Sequence, residues 1–216
     1  MAKKKGKGKI EDEGWSRFDA EAAYANSIFR SALGDSERCI SELERSLEFD
    51  PSYAPTILSM GSVEYQRGRN NEGRKLFFSL LALPDDTTDL SEIIDEAGSF
   101  LIEIKEYDDG FDLFDAAVAR FPDVAVLHQG LGCCAGHKGL YAKAIEAAER
   151  ALELDPDKQN FVNDLGWSFL QAGRLQEAKE MLEKAVSMDP ADELACENLR
   201  YCKGKISRQR RKKRKA

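Results

Sequence analysis

The sequence predicts an all-α solenoid of antiparallel helix pairs, and three observations predict it. First, a skeleton of small and apolar residues returns every 34 residues. Leu165-Gly166, Phe169, Gly173, Ala178, Leu182, Ala185 and Pro190 recur as Leu131-Gly132, Gly139, Ala144, Ala148, Ala151 and Pro156, then as Gly98, Leu101, Gly110, Phe114, Ala117 and Pro122. Such a period marks helix-turn-helix units that bury their apolar faces against their neighbours. Second, five of the six prolines (Pro51, Pro84, Pro122, Pro156 and Pro190) keep this phase within one residue. Each falls where a ring without an amide hydrogen stops a helix. Third, Gly34, Gly68, Gly139 and Gly173 fall at the turn inside each pair, where a left-handed residue ends the first helix.

Taken in order, residues 1–10 are rich in lysine and glycine and carry too little apolar surface to offset chain entropy, so they read as disordered. Residues 11–19 are a lead-in whose Trp15 and Phe18 can cover the open end of the first repeat; together 1–19 form a basic tail and lead-in. The solenoid spans 20–202. Repeat one, 20–53, has a regular second half (Gly34-Asp35, Cys39, Leu43, Ser46, Asp50-Pro51). Repeat two, 54–87, carries Met60-Gly61, Gly68, Gly73, Phe77 and Leu80, and residues 88–90 are a short insertion. Repeats three, four and five occupy 91–124, 125–158 and 159–192. Residues 193–202 continue the phase as an amphipathic cap, with Leu194, Ala195 and Leu199 turned to repeat five, as an array needs a polar-backed end to stay in solution. Residues 203–216 read as a basic disordered tail.

Within the repeats, Gly61, Gly98, Gly132 and Gly166 mark places where two helices come too close for a side chain, despite a cost of about 1 kcal/mol against alanine. Ala144 and Ala178 serve the same purpose on the second helix.

These residues resemble the tetratricopeptide repeat, over roughly four-fifths of the chain. Asn26-Ser27 in repeat one departs from the Leu-Gly usual there. The resemblance implies a right-handed superhelix of five helix pairs plus a capping helix. It also implies a non-enzymatic scaffold or adaptor that binds an extended protein segment in its concave groove. In this family positions 2, 5, 9, 12 and 13 of the first helix line the groove. Repeat one then offers Glu21, Tyr24, Ile28, Ser31 and Ala32, and repeat two Pro55, Leu58, Ser62, Tyr65 and Gln66. Repeat three offers Glu92, Asp95, Ser99, Ile102 and Glu103, and repeat four Val126, Gln129, Cys133, Gly136 and His137. Repeat five offers Asn160, Asn163, Trp167, Leu170 and Gln171. No lysine or arginine stands at these positions, which disfavours the cationic clamp that some members use to hold a chaperone's terminal carboxylate. Aromatic and aliphatic side chains (Tyr24, Leu58, Tyr65, Trp167, Leu170) beside Glu92, Asp95 and Glu103 suit a segment with apolar anchors and nearby basic residues. Asn160 and Asn163 can bond its backbone. Trp167 is the expected hot spot, since tryptophans are over-represented among them.

Composition narrows the alternatives. The chain has 216 residues, 42% of them hydrophobic, and no apolar run long enough to span a membrane. The start has a basic stretch without an apolar segment after it, so no secretory signal is expected and the predicted compartment is the cytoplasm. Five cysteines without C-x-x-C spacing read as reduced thiols. Two histidines, and no G-x-S-x-G, phosphate-binding loop or H-E-x-x-H, leave catalysis without a motif, and no cofactor, metal or small-molecule substrate is predicted. Cys133 and His137 share a helix face but read as groove residues. The net charge of -7 combines five lysines in residues 1–10 and nine lysines and arginines in 203–216 with a body carrying 21 excess negative charges. The tail cluster Arg210, Arg211, Lys212, Lys213, Arg214 and Lys215 has several readings. It can neutralise phosphates, making the protein a nucleic-acid- or ribosome-associated factor with the solenoid as recruiting arm. It can address a eukaryotic protein to the nucleus, keep the chain soluble, or fold back on the acidic groove. The ends of the repeat array leave self-association open.

Overall fold

The computed structural model describes the backbone of residues 9–213 and the side chains of residues 16–212. The side chain of Trp15 and that of Lys213, residues 1–8, and Arg214 and Lys215 therefore lie outside what is described. All regular structure among the described residues is α-helical. The helices are α1 (Lys9–Ala32), α2 (Ser36–Phe49), α3 (Ala54–Gln66), α4 (Asn70–Leu80), α5 (Leu90–Glu103) and α6 (Tyr107–Arg120). They continue as α7 (Ala125–His137), α8 (Tyr141–Leu154), α9 (Gln159–Gln171), α10 (Leu175–Met188) and α11 (Glu193–Lys213). Contacts divide the chain into two units, residues 1–97 and 98–216, with the boundary inside α5.

In the first unit α1 pairs with α2 and α3 with α4. Ser46 stands where repeats three to five have alanine, and a buried hydroxyl needs partners. It donates to the Ala20 carbonyl at 2.8 Å and lies 2.7 Å from Thr56 Oγ1, tying α1, α2 and α3 together. Ser27, in the place usual for glycine, is buried and donates to its own helix at Tyr24 O, 2.7 Å away. Arg17 bonds Asp50 at 2.7 Å and lies 4.4 Å above the Tyr53 ring, fastening α1 to the end of α2. A Cβ built on Gly61 would fall within the Phe77 ring contact, which is why α3 and α4 close on a glycine there.

In the second unit, Phe114 of α6 lies between Gly98 and Gly130, and a Cβ on either glycine would collide with its ring. A Cβ on Gly132 would come 3.3 Å from the Ala144 carbonyl, and one on Gly166 would press on Leu182. The core runs through Ile145, Ala148, Leu165, Phe169, Leu170, Ala178 and Leu182. The turn glycines Gly34, Gly68, Gly139 and Gly173 have φ between 73° and 78°. In the α5–α6 turn the same left-handed conformation is carried by Lys105, at φ 66°.

The two ends differ from the sequence reading. Helix α1 begins at Lys9, inside the stretch read as disordered, and residues 11–19 are helical rather than a lead-in. At the other end the cap does not stop at Cys202. Helix α11 runs to Lys213, so 203–213 is not a disordered tail. Ile206 continues the apolar stripe of Leu199 and Cys202 onto the core, and Lys203 bonds Glu183 at 3.0 Å. Lysine, arginine and glutamine are good helix formers, and cations at a helix C-terminus are favoured by its dipole. A segment committed to helix has no path back over the groove, so fold-back of 203–213 is excluded in this structure. Helix α11 starts under an aspartate cap: Asp192 Oδ1 accepts from the Leu194 and Ala195 amides at 2.8 and 3.2 Å. The Ala195 amide first, then the Gln159 side chain, which donates to Oδ2 at 2.8 Å, and the Leu194 amide hold the Asp192 carboxyl below the usual aspartate range.

Candidate partner-binding face

In the first unit the expected groove residues divide. Tyr24 is half-buried, edge-on to Tyr53 with ring centroids 5.5 Å apart. Leu58 is half-buried and Ile28 exposed. Tyr65, expected on the surface, is buried instead, stacked on Phe77 at 5.5 Å. The cause is Gly73 of α4: without a Cβ there, the tyrosine ring has room to lie inward. Glu92 is exposed, and Asp95 is half-buried. Burial, reinforced by neighbouring Glu96, raises the Asp95 carboxyl above its ordinary value.

In the second unit the first helices of successive pairs (α7, α9) and α11 are linked by side chains one repeat apart. Gln129 of α7 donates to Asp164 of α9 at 2.6 Å. Asn198 of α11 donates to Asn163 of α9 at 3.1 Å, and Asn163 leans on Asp164 at 3.5 Å. This ladder has a physical logic: polar groups between packed helices must find partners, and each supplies the next. Burial pushes the Asp164 carboxyl up, while the bonds from Gln129 and Asn163 hold it back. Beside the ladder stands an aromatic pair. Trp167 is 36% exposed, and the Tyr201 ring lies 6.2 Å from it, tilted by 38°. Lys205 places its ammonium 5.0 Å from the Tyr201 ring centre. Cys133 is exposed near Asp164; burial of its sulfur, then that carboxylate, raises its thiol. His137 is exposed and stacks on Tyr107 at 3.9 Å. Glu103 and Asn160 are exposed.

Three expected surface residues of this unit are buried, Gly136 of α7 among them. Leu170 is 2% exposed, in the core with Cys202 and Ile206. Asn163 is 3% exposed and bonded to Asn198. Both are covered by α11, which acts as a further first helix. An α11 read only as a short cap hides this role. Asp164, Asn198, Tyr201 and Lys205 were not among the expected residues. Their signal is the same period, since Tyr201 stands 34 residues after Trp167. Lys205 also supplies a cation that the five repeats lack at the inherited positions.

The basic residues Arg210, Arg211 and Lys212 are exposed along the last turns of α11. No described helix is long and apolar enough to cross a membrane.

The helix pairs, turn glycines and glycine-lined contacts define an all-α helical solenoid of short repeats. Two tetratricopeptide-repeat family models match the chain, over residues 101–159 and 137–200. Residues 101–200 of this chain thus match the tetratricopeptide repeat. It is 25% identical over 123 residues to the small glutamine-rich tetratricopeptide repeat-containing protein 2 of Mycosarcoma maydis. That match takes in 57% of this chain but 35% of the relative's length. Among solved structures it is similar to YrrB, described as a TPR protein with an unusual peptide-binding site. That similarity has a TM-score of 0.59 and 21% identity, and covers 83% of this chain and 91% of that one. The first TPR domain of Spaghetti (RPAP3), solved with an HSP90 peptide, is similar at a TM-score of 0.50 and 19% identity, over 54% of this chain and 93% of that one.

Proposed function

We propose that the protein is a non-enzymatic cytoplasmic scaffold that holds an extended protein segment against the face formed by α7, α9 and α11. The observation that carries this reading is the Trp167–Tyr201 pair beside the Gln129–Asp164–Asn163–Asn198 ladder. An aromatic platform next to fixed amides and a carboxylate offers an anchor pocket, backbone hydrogen bonds and an attraction for basic side chains. The peptide-binding relatives support the same class of role. On this reading Trp167 and Tyr201 grip an apolar anchor, Gln129 and Asn160 reach the segment's backbone, and Asp164 and Glu103 favour Lys or Arg next to the anchor. Tyr24, Leu58, Glu92 and Asp95 offer a further contact surface on residues 1–97. Tyr65, Asn163 and Leu170 support from within.

A second reading is favoured by one observation, the exposed basic end of α11. Arg208, Arg210, Arg211 and Lys212, with Lys213, Arg214 and Lys215 beyond, would bind nucleic acid or a ribosome through phosphates. Retention on lysate-derived complexes at two salt concentrations separates the two, comparing the full chain, Trp167→Ala and a 208–216 deletion. The scaffold reading expects proteins that survive high salt and are lost with Trp167→Ala. Nucleic acid that disappears with the deletion, with an affinity falling about 0.9 log unit per phosphate contact per log unit of salt on duplex DNA, would put the second reading first.

A further inference from the structure

Helix α11 outruns its neighbour. Gln171 ends α9, and the residue one repeat later is Lys205, so α11 continues about two turns past the equivalent of that end. Tyr201, Lys205, Arg208 and Lys212 are spaced four, three and four residues apart, which stacks them along one face of the helix. Tyr201 is 50% exposed, Lys205 is half-buried, and Arg208 and Lys212 are exposed. The row is an aromatic ring followed by three cations.

These cations are not taken up by the acidic body. Lys138, Lys143, Arg150, Arg174 and Lys179 each pair with a carboxylate, and Lys203 of α11 itself pairs with Glu183. Among the described residues no carboxylate pairs with Lys205, Arg208 or Lys212. The neighbouring rows of α11 start differently. The row through Arg210 leads back to Lys203, and the row through Arg211 leads back to Gly204, so neither begins on a ring.

The make-up of the row identifies its ligand. Past Gln171 no residue of α9 stands beside it, so Arg208 and Lys212 offer charge without facing amides or a side-chain pocket. An extended peptide is held by backbone hydrogen bonds and by pockets for its side chains. A single-stranded nucleic acid is held by cations along its phosphates and by aromatic faces under its bases. A duplex keeps its bases stacked inside and cannot use the ring.

We infer that α11 binds single-stranded nucleic acid, with a base stacked on Tyr201 and phosphates on Lys205, Arg208 and Lys212. The inference rests on the nucleic-acid reading above and narrows its ligand to a single strand. Tyr201 also belongs to the segment-binding face, so the two ligands compete for it.

Fluorescence anisotropy of the full chain tests this with three labelled probes: a short oligouridine, an RNA duplex of the same length and an oligoglutamate peptide of comparable charge. The wild type is expected to prefer the oligouridine, with an affinity that falls about two log units per log unit of salt for three phosphate contacts. Tyr201→Ala, with helicity unchanged in far-UV circular dichroism, is expected to weaken oligouridine about tenfold and leave the duplex as it was, whereas Tyr201→Phe keeps both. Arg208→Gln should weaken both RNA probes and lower the single-strand salt slope by about 0.7. Equal binding of the two RNA probes, indifferent to Tyr201→Ala, overturns the inference and leaves phosphate binding by the basic end standing. No binding of either RNA at low salt overturns both. Oligoglutamate held as tightly as oligouridine also overturns it and gives the cations to an acidic protein segment.

Discussion

Phe114 packs against Gly98 so closely that the glycine has no room for a methyl group. Gly130 forms the opposite wall of the same slot. Helices α5, α6 and α7 thus meet on one aromatic ring between two glycines. Gly98→Ala and Gly130→Ala should each destabilise the fold by about 1–3 kcal/mol, the usual cost of overpacking. Adding Phe114→Leu to either should recover part of that loss, because residues in contact are not additive. Urea denaturation of the singles and doubles measures this. Losses that simply add would mean that the ring and the glycines are not in contact.

Lys105 holds the left-handed conformation that four glycines hold in the equivalent turns. That conformation costs an L-residue roughly 1–2 kcal/mol, and glycine returns about half of the gain through its freer unfolded chain. Lys105→Gly should therefore raise stability by about 0.5–1 kcal/mol and the melting temperature by a few degrees. The reverse change, Gly139→Lys, should lower both. Thermal denaturation of the two variants decides it.

The extent of α11 has a direct consequence for stability. Removing 208–216 takes, among the described residues, only the exposed last turns of α11 and should leave the melting temperature within about a degree. Removing 203–216 also takes away Ile206 and the Lys203–Glu183 pair and uncovers Leu170 and Cys202. It should cost about 1–2 kcal/mol, roughly the burial of one aliphatic side chain. Equal stability of the two truncations would show that the helix is not docked beyond Cys202.

Asp164 supplies a pH test. Burial raises its carboxyl in the folded state above the unfolded value, so the native form holds its proton to higher pH than the unfolded chain does. This group's contribution therefore favours folding below its unfolded value and weakens as pH rises through its folded value. Carboxyl-detected NMR should find Asp164 titrating above an exposed aspartate. Asp164→Asn should remove the corresponding part of the acid-side pH dependence and leave Asp192, which titrates low, unchanged. An Asp164 midpoint at or below the ordinary value would contradict the buried ladder.

Much of this molecule is legible in its sequence, for identifiable physical reasons. Gly61, Gly98, Gly166 and the prolines follow from close approach and from the missing amide, both local to each repeat. The positive φ of the four turn glycines is equally local. Which surface residues stay uncovered is not local. Leu170 and Asn163 sit at groove positions by count, yet the next first helix covers them. How far that helix runs depended on residues 203–213, whose charge resembles a disordered tail while their propensity and Ile206 favour a helix. Tyr65 was misplaced because its burial depends on Gly73 of another helix. Lys105 carried no signal, since a lysine gives no hint of a positive φ.

The central claim is that Trp167 anchors a bound segment. Its most direct test is fluorescence-anisotropy titration against a panel of labelled peptides, each with one aromatic or aliphatic anchor flanked by lysines, with acidic-flank controls. The account predicts saturable binding of the basic-flank peptides that persists at moderate salt. It also predicts a loss of about 30-fold with Trp167→Ala, a smaller loss with Tyr201→Ala, and little change with the 208–216 deletion. Binding that is indifferent to Trp167→Ala, or that vanishes with salt and with the deletion, would contradict it.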